Sequence, residues 1–519
     1  MEVARLERHV ARSVCEHKMN DGENATQRTT TLILFAMALA VFALHCFTNS
    51  QYGFHRDELQ TLDDARSLDW GFVAYPPVTP FIARLGLILF GSSLTAARVF
   101  PALAQAVVIA LAGLMAREMG GGRTAQVIAT LATAASSVSL AAGVLLQYVS
   151  FDFLWWVLLA YFVIRLVRSE NPQWWLAIGV VIGLGMMTKY TMLFLVAGLA
   201  VGVLTNSLRQ HLRSRWLWTG VALSLLIFLP NAIWQIRHDF ISLDFLKHIH
   251  ARDIRWGRTK NFLPEQLYVA ANPLTVPLWL AGLIFFFFRQ DGRRFRVLGW
   301  MWAVPFVLFV IAKGRAYYLA PAYPMLLAGG ALWQEGWLSK LKLSWSHMAV
   351  VATSAIILLG FALVSPAVLP ITPIGSRFFN MSGDFREEIG WPELAAEVAR
   401  IRNRLPDAER AKAGIFTANY GEAGAIDMYG GKYDLPRAIC WTNSFWLRTY
   451  PESQPDTVIV IGLDREDAEF FFESVELAGH TGNPYGVQNE ESKDHPDIFL
   501  CRHLKMGWPA FWKKYRQFG

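Results

Sequence analysis

The chain reads as a polytopic α-helical membrane protein of about eleven spans, followed by a small α/β unit at its C-terminal end. Three observations predict this. Hydrophobic residues make up 54% of the 519 residues and charged ones 17%, too apolar for a soluble protein of this length. Apolar runs close to the roughly 20 residues that a bilayer core requires recur through the first two-thirds of the chain. Beyond Pro366 the apolar runs shorten and the charges rise.

The runs lie near 29–49, 96–116, 125–146, 151–167, 173–188, 190–206, 216–236, 273–288, 297–312, 316–333 and 346–366. Only Thr188-Lys189-Tyr190 divides the fifth from the sixth. The first run follows a polar tail, 1–28, and has no small-residue cleavage site, so it is read as a retained helix rather than a signal peptide. Orientation follows from Lys and Arg, which favour the cytoplasmic side. The tail carries Arg5, Arg8, Arg12, Lys18 and Arg28. Alternate loops are basic too: Arg117 and Arg123; Arg165 and Arg168; Arg209, Arg213 and Arg215; Arg289, Arg293, Arg294 and Arg296; Lys340 and Lys342. This places 1–28 in the cytoplasm, the membrane domain at 29–366, and segments 50–78, 147–150, 237–272 and 367–519 outside. Segment 237–272 fits least well, because it also holds Arg237, Lys247, Arg252, Arg255, Arg258 and Lys260. The pI near 9.2 is then orienting charge, and no nucleic-acid partner is expected.

In the C-terminal unit, Leu394, Ala395, Val398, Ile401 and Leu405 recur at helical spacing, predicting a helix over 391–405. Segments 414–418, 437–441, 457–462 and 498–503 read as short buried strands, and 465–478 as an intervening helix. No Gly-rich phosphate motif follows a strand. Of the four cysteines, Cys15 falls in the tail and Cys46 in the first run. Cys440 and Cys501 fall in predicted outer strands, where a disulfide is allowed if those strands are neighbours. No Cys/His cluster has zinc spacing.

Chemistry concentrates in the first outer segment, Phe54-His55-Arg56-Asp57-Glu58-Leu59, closed by Tyr75-Pro76-Pro77. It is read as an extended loop. Two adjacent carboxylates at a membrane surface suit a general base and a clamp for a polar substrate; the plainer reading is a solvated charge cluster. His55 is a second candidate base. Arg56 could hold the loop through Glu58. Lys189, Lys313 and Arg315 are cations on the side that the orientation rule disfavours. They suit a lipid phosphate at headgroup depth, beside Tyr317 and Tyr318, or else snorkel from helix ends. Asp152 opens the fourth span, either to orient a hydroxyl or partner Arg56, or as a helix N-terminal carboxylate. Asn419-Tyr420-Gly421-Glu422 ends a strand, as a turn or as an approach to an acceptor.

These residues carry a resemblance. The first outer segment, with Trp70-Gly71 and Tyr75-Pro76-Pro77, resembles the first outer loop of the dolichyl-phosphate-mannose–protein mannosyltransferase-like family. These are integral-membrane glycosyltransferases of the GT-C superfamily, to which the aminoarabinose–lipid A transferases are related. Asp57 and Glu58 match the family's acidic pair. Gly183 through Tyr190 resembles its Gly/Thr-Lys segment, and Lys313 through Pro324 its Lys…Tyr-Leu-Pro…Tyr-Pro segment, here with an extra Ala320 before Pro321. Pro230-Asn231, Trp234-Gln235, Gln266, Asn272-Pro273 and Asn419 through Gly424 resemble a bacterial subgroup.

The resemblance implies a GT-C-like fold in a bacterial inner membrane. It implies transfer of a sugar, hexosyl or pentosyl, from a polyprenyl-phosphate donor to a hydroxyl on a glycolipid, polysaccharide or protein at the outer face, with inversion. Asp57 and Glu58 would be the catalytic pair, Asp57 as the base and Glu58 as a contact to sugar or acceptor hydroxyls. His55, Arg56, Tyr75 and Asp152 would contact substrate. Lys189, Lys313, Arg315, Tyr317 and Tyr318 would surround the donor phosphate. No cofactor is required. A divalent cation is left open, since adjacent side chains in an extended loop point apart and a hard cation needs more oxygens. A transporter or flippase for a lipid-linked or anionic substrate is the alternative; paired half-repeats with broken helices would favour it, and none are evident.

Overall fold

The computed structural model describes residues 3–369 and 383–519, with side chains from residue 26 on except at 366–368. The tail residues Arg5, Arg8, Arg12, Cys15 and Lys18 lie outside the described side chains. Among the described residues, six helices are long and apolar enough to cross a bilayer: Thr26–Thr48, Leu94–Glu118, Tyr148–Ser169, Arg215–Arg237, Arg293–Ile311 and Leu343–Ser365. Two sharply bent pairs, Met192–Thr205 with Ser207–Arg213 and Phe262–Tyr268 with Pro273–Phe288, raise the number to eight. The chain is therefore a multi-pass membrane protein. Leucines and isoleucines such as Leu225, Leu226, Ile311 and Leu359 stay exposed on these helices, as a lipid-facing surface requires.

Several of the eleven expected runs are shorter as helices, and the reason lies in where they break. Run 125–146 becomes Arg123–Ala134 and Ser137–Ala142. Run 173–206 breaks between Met186 and Met192. Run 316–333 opens with a 3-10 turn, Ala316–Ala322, before Tyr323–Leu338. At membrane depth, irregular backbone is tolerated only where protein or a cavity satisfies it. Buried amides do so here. Asn272 Nδ2 donates to the Ala135 carbonyl at 2.9 Å, and Gln266 Nε2 to the Ala316 carbonyl at 3.2 Å. Lys189 lies inside the second of these breaks, Arg315 immediately precedes the 3-10 turn, and Gln147 follows Ser137–Ala142. A short apolar helix not counted among the runs, Val78–Phe90, adds to the lipid-facing surface.

The two ends of the helical bundle differ. At one, Arg168 pairs with Glu118 at 2.6 Å, Arg294 reaches the Met119 carbonyl, and Glu335 accepts from the Gly122 amide. These come from the loops expected to be basic. At the other end, segments 50–78, 147–150, 237–272 and the C-terminal unit meet.

Segment 50–78 corrects one expectation. It is not an extended loop: residues Arg56–Arg66 form a helix. His55 caps it, its Nδ1 accepting from the Asp57 amide at 3.1 Å, while Glu58 reaches back to the His55 amide at 2.9 Å. Leu59, Leu62 and Ala65, one turn apart, bury their face among Leu394, Val398, Ala423, Ile426 and Ile459. The helix thus belongs to the hydrophobic core of the C-terminal unit, and that core does not divide at residue 366.

The C-terminal unit holds a five-stranded sheet: β1 Gly414–Thr417, β2 Ile439–Cys440, β3 Thr457–Ile461, β4 Phe472–His480 and β5 Asp497–Leu504, in the order β2-β1-β3-β5-β4. The first three strands in that order are parallel, and β5 and β4 are antiparallel to their neighbours. Helix Trp391–Asn403 forms as expected. Segment 465–478 does not form a single helix: it splits into Arg465–Phe471 and edge strand β4. Glu473, Glu476 and Leu477 favour a helix locally, but pairing with β5 overrides them, and the exposed glutamates blunt the sheet edge. Cys440 and Cys501 are buried and free, on β2 and β5. Two strands lie between them, roughly 14 Å at the usual strand spacing, so they are not bonded.

Candidate active site

Asp57 and Glu58 occupy successive positions in the first turn of a helix, about 100° apart around its axis. That angle separates their roles. Glu58 turns inward and is fully buried. Its Oε1 accepts from Arg98 Nε at 2.9 Å and from the Leu146 amide at 2.8 Å; its Oε2 accepts from Arg98 Nη2 at 2.6 Å. Arg98 also binds the carbonyls of Asn49 and Gly53. Glu58 is therefore a structural carboxylate lining neither cavity of the site, and the expected substrate clamp is corrected to a clamp on the chain itself. Its pairing with Arg56 is corrected too. Arg56 bonds Glu490 and Glu491 at 2.9 Å and lies 3.8 Å from Glu387, joining the helix to the C-terminal unit.

Asp57 turns the other way, into the junction of two cavities. The larger, about 760 Å³, is polar and lies between Gln147, Arg258, Arg386, Glu387 and Asn489; His55 lines it. The smaller, about 410 Å³, runs past Tyr75, Lys189, Arg252, Tyr318 and Tyr420 to apolar Leu193, Phe194 and Ile249. Asp57, Arg56, Gln147, Tyr148, Arg258, Arg315 and Tyr317 line both. Asp57 Oδ1 accepts from the Tyr420 hydroxyl at 2.7 Å and Oδ2 from Gln147 Nε2 at 2.9 Å. Burial pushes its carboxyl up, but His55, Arg56, the Tyr420 hydroxyl and Arg315 outweigh burial and hold it below the usual carboxylate range. It is ionised at neutral pH.

The cations converge on the smaller cavity. Lys189 Nζ lies over the rings of Tyr318, Tyr148 and Tyr317 at 4.1, 5.0 and 5.3 Å. Arg315 binds Asp253 through both Nε and Nη2, with the former at 2.6 Å. Arg252 and Arg258 each stand 3.9 Å from the same carboxylate. Three guanidinium groups thus share one aspartate, and Lys189 adds a fourth cation. This accounts for Arg252 and Arg258, two of the basic residues of segment 237–272 that had fitted the orientation rule poorly.

Two expected members stand apart. Lys313 is exposed, has φ +49°, and lines neither cavity. Asp152 lies behind the site: Oδ1 accepts from Trp156 Nε1 at 3.1 Å and Oδ2 from the Thr191 hydroxyl at 3.2 Å. It neither partners Arg56 nor reaches a cavity, and instead supports the turn carrying Lys189. Tyr75 lines the smaller cavity, with its hydroxyl donating to Asp64 at 2.7 Å. Among the described residues, no three His, Cys, Asp or Glu side chains are grouped to hold a metal ion.

Sequence reasoning missed Arg98, Gln147, Tyr148, Arg252 and Arg258, and named Tyr420 only as part of a turn or an approach to an acceptor, without its contact to Asp57. An arginine inside an apolar run demands a buried partner, and that signal was present for Arg98. The surplus arginines of 237–272 were visible but unassigned.

Residues 74–234 match the sequence model of the dolichyl-phosphate-mannose-protein mannosyltransferase family. ArnT of Cupriavidus metallidurans superposes with a TM-score of 0.60 over 91% of this chain and 98% of that one, at 16% identity. Its form bound to undecaprenyl phosphate gives 0.57 over 90% and 97%, also at 16% identity. The chain is a relative of that family, with a GT-C fold. Two curated proteins are similar to this GT-C chain. Lipid A galacturonosyltransferase RgtD of Rhizobium johnstonii is 27% identical over 52% of this chain and 58% of its own length. Undecaprenyl phosphate-alpha-4-amino-4-deoxy-L-arabinose arabinosyl transferase 1 of Pseudomonas fluorescens is 30% identical over 48% of each. The chain spans about half the length of the curated relatives it matches.

Proposed function

We propose that the chain transfers a sugar from a polyprenyl-phosphate donor to a hydroxyl acceptor, with inversion, on the non-cytoplasmic face of a bacterial inner membrane. The observation that carries this reading is the placement of the Asp57 carboxylate at the junction of two cavities, one of them lined by Lys189, Arg252, Arg258 and Arg315 and open to apolar side chains. The donor's phosphate takes the smaller cavity, among Lys189, Arg252, Arg258 and Arg315, with its first prenyl units toward Leu193, Phe194 and Ile249. The acceptor, a glycolipid, polysaccharide or protein, takes the larger polar cavity. Its hydroxyl oxygen bonds to the anomeric carbon as the carbon–oxygen bond to phosphate breaks. The electron pair leaves with polyprenyl phosphate, and the hydroxyl proton passes to Asp57. The leaving group is already an anion of low basicity, so one carboxylate suffices, and the preorganised cations stabilise its growing charge.

In this reading the shorter apolar helices complete about eleven spans, and the C-terminal sheet lies outside the cytoplasm. One relative named for an undecaprenyl phosphate-linked sugar, and the ArnT structure bound to undecaprenyl phosphate, support the donor class. The test is transfer of radiolabelled sugar by purified protein in bilayers, with polyprenyl-phosphate donors of several sugars. Labelled product with release of polyprenyl phosphate is expected. Donor movement across the bilayer without product would favour a flippase.

The cations make separate predictions. Arg315→Ala should slow transfer on the order of 10²-fold, the usual loss for a transition-state contact. Arg315→Lys should lose less, because it keeps the charge and gives up the planar fork. Lys313→Ala should stay within about threefold, as exposed positions usually do. Equal losses at Arg315 and Lys313 in initial-rate assays would put the phosphate elsewhere.

A further inference from the structure

The segment Asn419 through Gly424 performs no step above, yet every residue in its first turn has a job. Asn419 caps the helix Tyr420–Tyr429, its Oδ1 accepting from the Gly421 amide at 2.7 Å. Glu422 closes the capping box by accepting from the Asn419 amide at 3.2 Å. Two glycines set how close this helix comes to the helix Arg56–Arg66. A Cβ on Gly421 would stand 2.8 Å from Arg56 Cβ, and one on Gly424 would stand 2.7 Å from Leu59 Cβ. Neither distance is tolerable between carbons, so only glycine permits the approach. The cap fixes where the helix starts, and the glycines fix its depth. Together they bring Tyr420, from the C-terminal unit, to the carboxylate of Asp57.

We propose that Tyr420 is a positioning residue for Asp57, and that the 419–424 segment serves to deliver its hydroxyl across the boundary between the C-terminal unit and the membrane helices. The inference rests on the reading of Asp57 as the base. A free carboxylate rotates about its last torsion. Tyr420 on Oδ1 and Gln147 on Oδ2 hold its plane from two sides, while each oxygen keeps a further lone pair for an acceptor proton. Burial and the adjacent carboxylate push the phenol well above its ordinary value, so it remains a donor. The other groups that face Asp57 are His55 and Arg56 at the start of its own helix, Tyr148 beside Gln147, and Arg315. Of these contacts, the Tyr420 hydrogen bond is the one a single-oxygen change removes. Donation to the ionised form favours ionisation. The base must be ionised to act, so activity falls as pH drops through the Asp57 pKa. Losing the donor raises that pKa and moves the fall to higher pH.

The experiment is Tyr420→Phe in the full-length protein in nanodiscs, with kcat/KM followed against pH, donor binding measured by titration, and melting recorded. The acid limb should move to higher pH by about one pH unit, and the plateau kcat should fall roughly tenfold, with donor affinity unchanged. Gly421→Ala keeps the phenol but forces the helix away from Arg56, and should move the acid limb the same way. An unmoved acid limb in Tyr420→Phe overturns the proposal, whether or not melting changes, because a merely structural phenol would lower stability without touching the profile. Asp57→Asn separates the two levels. If it is inactive while the Tyr420→Phe profile stays put, the base stands and the role of Tyr420 fails. If Asp57→Asn is active, the base and this inference fail together.

Discussion

Asp57→Asn should slow sugar transfer by roughly 10²–10⁴-fold, the usual worth of a positioned base, while donor binding survives. The substitution preserves shape. The asparagine oxygen still accepts from the Tyr420 hydroxyl, and the Gln147 amide can turn its oxygen toward the new NH₂ group. What disappears is the proton acceptor and one negative charge beside Arg56 and Arg315. Since the substitution touches no hydrophobic packing, the protein should still fold and insert. Single-turnover transfer measured beside donor titration in the same nanodiscs distinguishes a lost base from a lost site. Transfer near the wild-type rate would mean that another group takes the proton. Of the other groups expected to act as base, His55 alone lines a cavity, with its Nδ1 held by the Asp57 amide, whereas Glu58 and Asp152 line neither cavity.

Arg98→Ala should cost stability rather than chemistry. Arg98 is 1% exposed and holds Glu58 through two hydrogen bonds, Asn49 and Gly53 through their carbonyls, and Glu388 of the C-terminal unit at 3.4 Å. Both glutamates are completely buried. Burial, opposed by Arg98 and reinforced by Glu58, has already pushed the Glu388 carboxyl up to about 8. Removing the cation leaves the Glu58 carboxylate buried without its partner, beside a carboxyl that burial already disfavours as an anion. Breaking such a pair costs roughly 3–5 kcal/mol, a large part of a typical folding free energy. The variant should melt well below the wild type in detergent. Replacing the arginine by Met and Glu58 by Leu together should cost less than the two single changes added, because neither partner is then stranded. A melting temperature for Arg98→Ala within a degree or two of wild type would show that the network carries little of the stability.

The helix Arg56–Arg66 explains why these two predictions concern neighbouring residues with opposite expectations. Asp57 and Glu58 are alike in charge and adjacent in sequence. Nothing local tells them apart until a helix axis and two neighbouring bodies define which side faces water. Around that helix the contacts are long-range. Arg448 bonds Asp63 and Asp64, Arg437 bonds Asp63, and Tyr420 bonds Asp57, each across more than 360 residues of chain.

The amino-acid sequence by itself determined the membrane class, the position of the apolar runs, and four of the five strands, β1, β2, β3 and β5. These follow from hydropathy, charge and local periodicity, which act over one helix or one strand. It also singled out Asp57, Lys189, Arg315, Tyr75, Tyr317 and Tyr318, because a polar or charged side chain at the edge of a bilayer is costly without a purpose. Only the tertiary structure decided that Glu58 locks onto Arg98, that Lys313 stays outside the site, that Asp152 supports Lys189 from behind, and that β4 is a strand. Only it joined Tyr420 to Asp57. The physical reason is common to all of these. Each depends on which partner arrives from a distant segment, and a hydrogen bond, an ion pair or a sheet edge is satisfied in space, with no trace in the spacing of residues along the chain.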